Sequence, residues 1–175
     1  MKKKRVVSQA GLLAVSALFL WASPSTVHAE GWDNSGGEWR YLDNANNAVS
    51  EAWRKSGDAW YYLGDDGNMV KDSIVTVGDG IYYLDADGVM AANRWVLAKD
   101  IDDNDAWYYF GADGKAYKGR DGRVYTREIN GKRYLFDEEG VMLTGFFDAE
   151  GNAVEDDNPF KSAKYYFGDD GAMYA

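Results

Sequence analysis

Large apolar residues follow a fixed spacing along most of this chain. Trp32, Trp53, Ile74 and Trp95 are each separated by 21 residues, and we call this row the first ladder. A second ladder of Trp39, Trp60 and Ile81 follows seven residues behind it. A period of this length is typical of repeat proteins, in which one unit cannot bury its own apolar face and must stack on its neighbours.

The clearest copy of the repeat runs from Trp53 to Met69. Its segments Trp53 to Lys55 and Trp60 to Leu63 flank a Ser-Gly-Asp turn, and the second segment is rich in aromatic residues that favour strands. This pattern predicts a β-hairpin. A Gly-Asp-Asp-Gly turn follows, and its last residue, Gly67, is expected to adopt a positive φ angle.

Equivalent turn residues recur six times and predict six units. Four positions before each stands a large apolar residue: Leu42, Leu63, Leu84, Phe110, Phe136 and Phe167. The turn residues themselves are Asn46, Gly67, Gly88, Gly114, Gly140 and Gly171. Asparagine is the non-glycine residue that best tolerates the left-handed conformation, so Asn46 fits the series. We therefore predict an all-β solenoid of about six stacked hairpins.

Later units are longer than 21 residues, which predicts insertions within hairpins. The inserted segments are 99–105, the region around 123–128, and 150–160. Phe147 stands where the first ladder predicts an aromatic residue, whereas Asp121 occupies the equivalent position of the fifth unit. Alternation separates Trp60 and Tyr62 from Tyr61 and Leu63, but does not decide which face forms the core.

The amino-terminal segment has the form of an export signal. A basic start precedes an apolar run from Gly11 to Trp21, and Val27-His28-Ala29 suits signal peptidase. We predict a signal peptide at 1–29 and a repeat solenoid at 30–175. The alternative, an uncleaved membrane anchor, requires about 20 apolar residues, more than this run offers. No later stretch predicts a membrane span.

Composition narrows the possible functions. The leader holds four basic and no acidic residues, so residues 30–175 carry 15 basic and 29 acidic side chains, a balance that disfavours nucleic acid and anionic lipid. Cysteine is absent, and the single histidine, His28, lies in the leader. Histidine- or cysteine-dependent nucleophiles and the usual zinc sites are therefore excluded from 30–175. Carboxylates alone could still catalyse glycoside hydrolysis, which needs a pair held at a set separation in a cleft, but the acids of this sequence stand in turns. We predict no catalytic residues, no cofactor and no metal site.

The motifs Trp53…Trp60-Tyr61-Tyr62-Leu63…Gly67-Asn68-Met69 and Gly31-Trp32…Gly37-Glu38-Trp39 resemble the choline-binding, or cell-wall-binding, repeats of Gram-positive surface proteins. The resemblance covers residues 30–175 and extends to glucan-binding repeats. It implies a secreted, wall-associated protein that binds choline-bearing teichoic-acid polymers. Glucan or peptidoglycan is the alternative ligand, because aromatic faces also stack on sugars. An exposed last unit around Tyr174 allows a homodimer.

The resemblance also implies where ligands would bind, in aromatic cages between consecutive hairpins. The first cage would combine Trp32 and Trp39 with Tyr62 and Met69. The second cage would combine Trp53 and Trp60 with Tyr83 and Met90. A third cage would combine Trp95, Trp107, Tyr134 and Met142, although an insertion lengthens its Trp spacing from seven residues to twelve.

Other positions depart from the cage pattern or suggest different chemistry. Ile74 and Ile81 have no π face, so the interface after the third unit is expected to be structural. Arg133 and Lys164 at the second-ladder position would oppose an ammonium ligand. The acids between Asp100 and Asp105 resemble a calcium loop only weakly, because the glycine and glutamate of an EF-hand are missing from their positions.

Overall fold

The structure is a computed structural model and describes residues 30–119 and 125–174. The signal peptide predicted at 1–29 and Asp121 lie outside the described residues. Antiparallel hairpins form from consecutive strands, as the repeat pattern predicts. The strands are β1 (Gly31–Asp33), β2 (Arg40–Leu42), β3 (Ala52–Ser56), β4 (Ala59–Leu63), β5 (Ser73–Val77), β6 (Gly80–Leu84), β7 (Arg94–Lys99), β8 (Asp105–Phe110), β9 (Arg127–Ile129), β10 (Lys132–Phe136), β11 (Met142–Leu143), β12 (Gly145–Phe147), β13 (Tyr165–Phe167) and β14 (Met173–Tyr174).

We number the hairpins one to six: β1–β2, β3–β4, β5–β6, β7–β8, β9–β10 and β12–β13. Short strands β11 and β14 pair with β10 and β13 as the chain leaves hairpins five and six. One 3₁₀ turn, Pro159–Lys161, is present within the last inserted segment. No helix in the described part of the chain is long and apolar enough to cross a membrane.

Hairpin register is the same in successive units. Trp53 pairs with Tyr62, Ile74 with Tyr83, and Trp95 with Tyr109. Directly paired residues lie on the same face of a hairpin, and alternate residues along one strand share that face. Each hairpin therefore has one face that carries the two ladder residues and an opposite face that carries the residues between them.

All six predicted turn residues have positive φ angles, between 64° at Asn46 and 85° at Gly140. Where the turn begins with aspartate, the carboxylate accepts backbone N–H groups within the turn, as Asp43 does from Ala45 and Asn47. Where it begins with glycine, the third residue does so instead, as Asp66 does from Asn68. Both arrangements satisfy turn donors that would otherwise lack partners.

The apolar residues before the turns form the interior of the stack. Leu63, Leu84, Phe110 and Phe167 are fully buried, and Phe136 is nearly so. Successive hairpins are joined by backbone hydrogen bonds: the Met69 N–H donates to the Trp39 carbonyl at 2.7 Å, Met90 to Trp60 at 2.8 Å, and Ala116 to Ile81 at 2.8 Å. The segments that follow hairpins two, three and four are therefore each tied to the preceding hairpin through the second ladder.

Two of the three predicted insertions lie within hairpins. The third, around 123–128, is only partly described, and the first strand of hairpin five begins inside it at Arg127. Residues 99–105 form the tip of hairpin four, in which Lys99 still pairs with Asp105 and 100–104 are the loop. Residues 148–164 separate β12 from β13. The last insertion contains a further turn of the same kind, in which Asp148 accepts three backbone N–H groups and Gly151 has a φ of 96°. This additional turn was not predicted.

The first ladder is displaced by one residue in the last hairpin. Phe146 pairs with Tyr166 as Trp53 pairs with Tyr62, whereas Phe147 pairs with Tyr165 and is buried. The prediction for Phe147 was therefore wrong. A count of seven from Gly140 no longer gives the ladder position, because strand pairing in this hairpin begins at Gly145.

Candidate ligand-binding cages

The two faces of each hairpin decide which side chains meet between units. Trp53, Trp60 and Tyr62 share the face directed towards hairpin three, and Tyr61 lies on the face directed towards hairpin one. Two contacts establish these directions: the Trp53 ring lies 4.9 Å from that of Tyr82, and the Trp32 ring lies 5.3 Å from that of Tyr61. A space between hairpins is thus bounded by tryptophans of one unit and a tyrosine of the next.

The first cage is an open cavity of about 300 Å³ between hairpins one and two. Its rings are steeply inclined to one another. The centres of the Trp32 and Trp39 rings lie 6.5 Å apart with an angle of 82° between the ring planes, and the planes of Trp32 and Tyr61 make an angle of 70°. Met69 completes the apolar lining, and Ser56 and Asp87 lie at the cavity as well. Three aromatic rings therefore line one small cavity, with their faces and edges in different orientations.

The third cage forms a cavity of about 350 Å³ from the four residues that the sequence grouped: Trp95, Trp107, Tyr134 and Met142. The Trp95 and Tyr134 rings lie 4.8 Å apart. The insertion that lengthens the Trp spacing does not separate these residues, because 99–105 lies beyond the Leu97–Trp107 pair, towards the tip of the hairpin. Asp169 and Asp170 also line this cavity.

The second cage brings Trp53 against Tyr82, and the Met90 N–H donates to the Trp60 carbonyl. The Lys55 ammonium lies 6.0 Å from the centre of the Trp60 ring, on the strand position paired with it. A lysine in this position provides a cation–π contact from within the protein. A cationic ligand at this cage would therefore compete with Lys55 for the Trp60 face.

The structure corrects two tyrosines in the predicted grouping. Tyr62 packs on Trp53 of its own hairpin at 5.0 Å, and Tyr61 takes the predicted place in the first cage. Likewise Tyr83 donates its hydroxyl to Asp72 at 2.5 Å, and Tyr82 faces Trp53. The physical reason is strand alternation, since a residue paired with a ladder tryptophan lies on that tryptophan's face and points away from the preceding hairpin.

The missed tyrosines could have been found by counting from the turn. Tyr61, Tyr82 and Tyr134 each stand six residues before their turn glycine, whereas Tyr62 and Tyr83 stand five before. Neither Tyr61 nor Tyr82 is among the predicted cage residues. A uniform register, applied to all three cages, would have selected the correct residue in each.

Tyr83 has a different role from a cage wall. Burial, reinforced by the hydrogen bond to Asp72, raises the pKa of Tyr83 to about 12. Its ring lies against the buried Phe110 at 6.2 Å. The side chain thus ties hairpin three to the segment that precedes it through Asp72, and it packs against the core cluster that contains Phe110 of hairpin four.

The interface with isoleucines is packed differently. Ile74 and Ile81 pack against a core cluster that includes Tyr108 and Phe110. Tyr108 stands in the register of Tyr61 and Tyr82, yet it is 2% exposed. This tyrosine is buried in the core cluster, and burial raises its pKa to about 12. The packing supports the prediction that stacking at this interface needs no tryptophan.

The second-ladder tryptophans are all exposed, and they include Trp107, which pairs with Leu97 in hairpin four as Trp60 pairs with Lys55 in hairpin two. Trp39, Trp60 and Trp107 are 39%, 41% and 44% exposed, although tryptophan is usually well buried. Ile81, at the same position of hairpin three, is half-buried. Core packing therefore does not require these three indoles, and their exposed faces at a concave site are typical of ligand recognition.

The acidic loop between β7 and β8 is a turn whose backbone N–H groups are bonded by a side chain of the same turn. The Asp100 carboxylate accepts the backbone N–H groups of Asp102 and Asn104, both at 2.9 Å. These bonds hold the pKa of Asp100 below its usual value. Within residues 30–119 and 125–174, no group of three or more acidic, histidine or cysteine side chains could hold a metal ion.

Comparison with known proteins relates this architecture to two repeat families. The family described as a choline-binding repeat matches residues 49–95. The family described as a putative cell wall binding repeat matches residues 101–116, 127–142 and 161–173. Together the matches cover slightly more than half of the chain and include all the predicted residues of the second and third cages. A search of curated protein sequences found no significant match.

Solved structures from Streptococcus pneumoniae share the fold. CbpJ is 27% identical with a TM-score of 0.59, and choline binding protein F is 27% identical with a TM-score of 0.57; each match covers 83% of this chain and 42% of the other. The modular autolysin LytC, at 24% identity and a TM-score of 0.58, supports the fold alone.

This chain spans less than half the length of each of these three proteins. The matched repeats, the hairpin stack and the aromatic cavities between hairpins agree with one another. This chain therefore belongs to the family of choline-binding, or cell-wall-binding, repeat proteins.

Proposed function

We propose that this protein is a secreted, non-catalytic wall-binding module that holds choline groups of a teichoic-acid type polymer in its aromatic cages. One observation carries the proposal: Trp39 and Trp107 are exposed at cavities that each also contain a second tryptophan, a tyrosine and a methionine. Secretion rests on the signal peptide predicted at 1–29, with the repeat solenoid at 30–175.

The chemistry of choline suits these cages. A quaternary ammonium cannot donate a conventional N–H hydrogen bond, so aromatic faces are its natural binding partners. Each aromatic wall contributes about 0.5 to 2 kcal/mol, and three walls therefore give roughly millimolar affinity at one site. Several cages on one stack gain through effective concentration when the polymer carries many choline groups.

Carbohydrate is the second candidate ligand, because exposed indole faces also stack on sugar rings. Choline binding protein F was solved in the presence of a peptidoglycan analogue, a tetrasaccharide-pentapeptide. Its match to this chain is 26% identical. Glucan or peptidoglycan binding would use the same tryptophans, so the two candidates must be separated by ligand rather than by site.

Calorimetric titration with choline, and separately with a soluble glucan and peptidoglycan fragments, tests the proposal. We expect choline to bind at about millimolar concentration and to elute the protein from a quaternary-amine resin at a salt concentration that suppresses ion exchange by the acidic surface. The double variant Trp39→Ala with Trp107→Ala should lose most of this retention. Phe160→Ala is the matched control, since Phe160 is 79% exposed and outside the cages.

Two results would contradict the proposal. Binding to glucan or peptidoglycan fragments without any response to choline would replace it with the carbohydrate alternative. Equal retention of the parent protein and the Trp39→Ala, Trp107→Ala variant would remove the cages as the site. Circular dichroism of each variant verifies that the hairpins are retained.

A further inference from the structure

The first cage receives a side chain from a third hairpin. Asp87 lines the cavity formed by Trp32, Trp39, Tyr61 and Met69, although it belongs to the turn of hairpin three. It immediately precedes the turn residue Gly88. A site between hairpins one and two is thus bordered by an acid from the hairpin beyond them.

The same arrangement recurs at other cavities. Asp169 and Asp170, in the turn of hairpin six, line the cage between hairpins four and five. Glu138 and Glu139, in the turn of hairpin five, line the cavity at the isoleucine interface between hairpins three and four. In all three, the acid comes from two units beyond the first wall.

Stacking geometry explains this recurrence. A Cβ atom added at Gly88 would lie 2.5 Å from the Met69 sulfur, and one at Gly171 would lie still closer to the Met142 sulfur. Each cage methionine therefore lies directly against the turn glycine of the following unit. The residue just before that glycine is brought to the rim of the methionine's cage.

The Asp87 carboxylate differs from its counterpart in the third cage. The Asp170 carboxylate forms an ion pair with Lys132 at 3.2 Å and accepts the Ala172 N–H at 3.0 Å. The Asp87 carboxylate has no hydrogen-bond or ion-pair partner in the part of the chain that the structure describes. The turn is held by Asp85, which accepts the Asp87 N–H, so the Asp87 side chain is not required for the turn.

We propose that Asp87 is a specificity-determining residue of the first cage, where its carboxylate favours a cationic ligand over a neutral ligand of the same shape. This inference rests on the proposed function, and it identifies the residue that gives the first cage its preference for a charged ligand. Aromatic walls make similar packing contacts with a quaternary ammonium and a tertiary butyl group, and cation–π attraction already gives the ammonium some advantage. A carboxylate at the rim increases this preference, because it attracts only the charged ligand.

The test uses a single-cage protein, Trp60→Ala with Trp107→Ala, in which the first cage alone keeps both tryptophans. Choline and its neutral isostere dimethylbutanol, in which carbon replaces the quaternary nitrogen, are titrated by calorimetry or NMR. We expect Asp87→Asn to weaken choline binding about three- to tenfold at low salt and leave dimethylbutanol binding unchanged. Asp65→Asn removes one charge from a turn that does not line this cavity and serves as control.

Each outcome decides between the two claims. If Asp87→Asn binds choline as tightly as the single-cage protein does, or weakens both ligands equally, this inference is wrong and the proposed function stands. If Asp65→Asn matches the loss seen with Asp87→Asn, overall charge rather than the rim carboxylate is responsible, and the inference is also wrong. If the single-cage and unmodified proteins both ignore choline, the proposed function fails and this inference with it.

Discussion

Two tyrosines that are adjacent on one strand have different roles: one lines a cage, and the other packs within its own hairpin. Tyr61 and Tyr62 are neighbours with the same side chain, yet Tyr61 faces Trp32 of the preceding hairpin while Tyr62 packs on Trp53 of its own. Side chains alternate across a strand, so neither composition nor local propensity distinguishes the two. Register to the turn glycine does.

We expect Tyr61→Leu in the single-cage protein to weaken choline binding at least fivefold, because leucine keeps bulk but has no π face. Tyr62→Leu in the same background should leave the affinity nearly unchanged. NMR titration with choline measures both. Equal losses from the two substitutions would contradict the assignment of Tyr61, and not Tyr62, to the first cage.

Turns determine the geometry of the elements. Two separate features require glycine at position 88. The φ angle of Gly88 is +80°, and the absence of a Cβ atom leaves room for Met69. Gly78, in the hairpin loop, meets only the first, with a φ of +62° and nothing within 4 Å of the position that a Cβ atom would take. The pair therefore separates backbone strain from side-chain contact.

Gly78→Ala should cost about 1 kcal/mol of unfolding free energy, from the left-handed backbone alone. Gly88→Ala should cost about 2 to 4 kcal/mol, because the new methyl group also displaces Met69 from its position. Thermal or urea unfolding followed by circular dichroism gives the comparison. Equal destabilisation by the two substitutions would show that the methionine contact has no energetic importance.

Across the whole molecule, aspartates whose carboxylates accept hydrogen bonds recur in the turns of many units. Hydrogen bonds from turn backbone or from asparagine hold the pKa of several aspartates below the usual value of 3.8, including Asp43, Asp66, Asp100, Asp148 and Asp170. The pKa of Asp79, which is bonded to Lys115, is lowered as well. Asp137 is the opposite case, because burial raises its pKa.

These shifts predict loss of stability in acid. A carboxyl group whose pKa is lowered by folding stabilises the folded state above the unfolded pKa, and this contribution is lost as pH falls through the folded pKa. The melting temperature should therefore fall as pH drops below about 4. Asp148→Asn should reduce the fall, whereas Asp137→Asn should not, since Asp137 contributes with the opposite sign. A melting temperature independent of pH down to about 2 would contradict this.

Much of the architecture could be predicted from local sequence. The six turn residues and the large apolar residue before each were identified by spacing, because positive φ and full burial restrict the residues allowed. The additional turn at Asp148 escaped, since it lies inside an insertion without a ladder residue. The displaced ladder at Phe146 escaped because spacing along the chain does not determine pairing across strands.

The sequence by itself determined the repeat, the turns and the pairs of tryptophans, since each depends on a residue type at a fixed local interval. Counting from the turn glycine relates the tyrosines of successive units to one another, but the tertiary structure decided that the face carrying Tyr61, and not that carrying Tyr62, meets the preceding hairpin. Only the tertiary structure decided which acid borders each cage. Tyr61 meets Trp32 across an interface between hairpins, and Asp87 reaches the same cavity from two hairpins away. Such contacts depend on how hairpins stack, and stacking brings together residues whose separation along the chain carries no local signal.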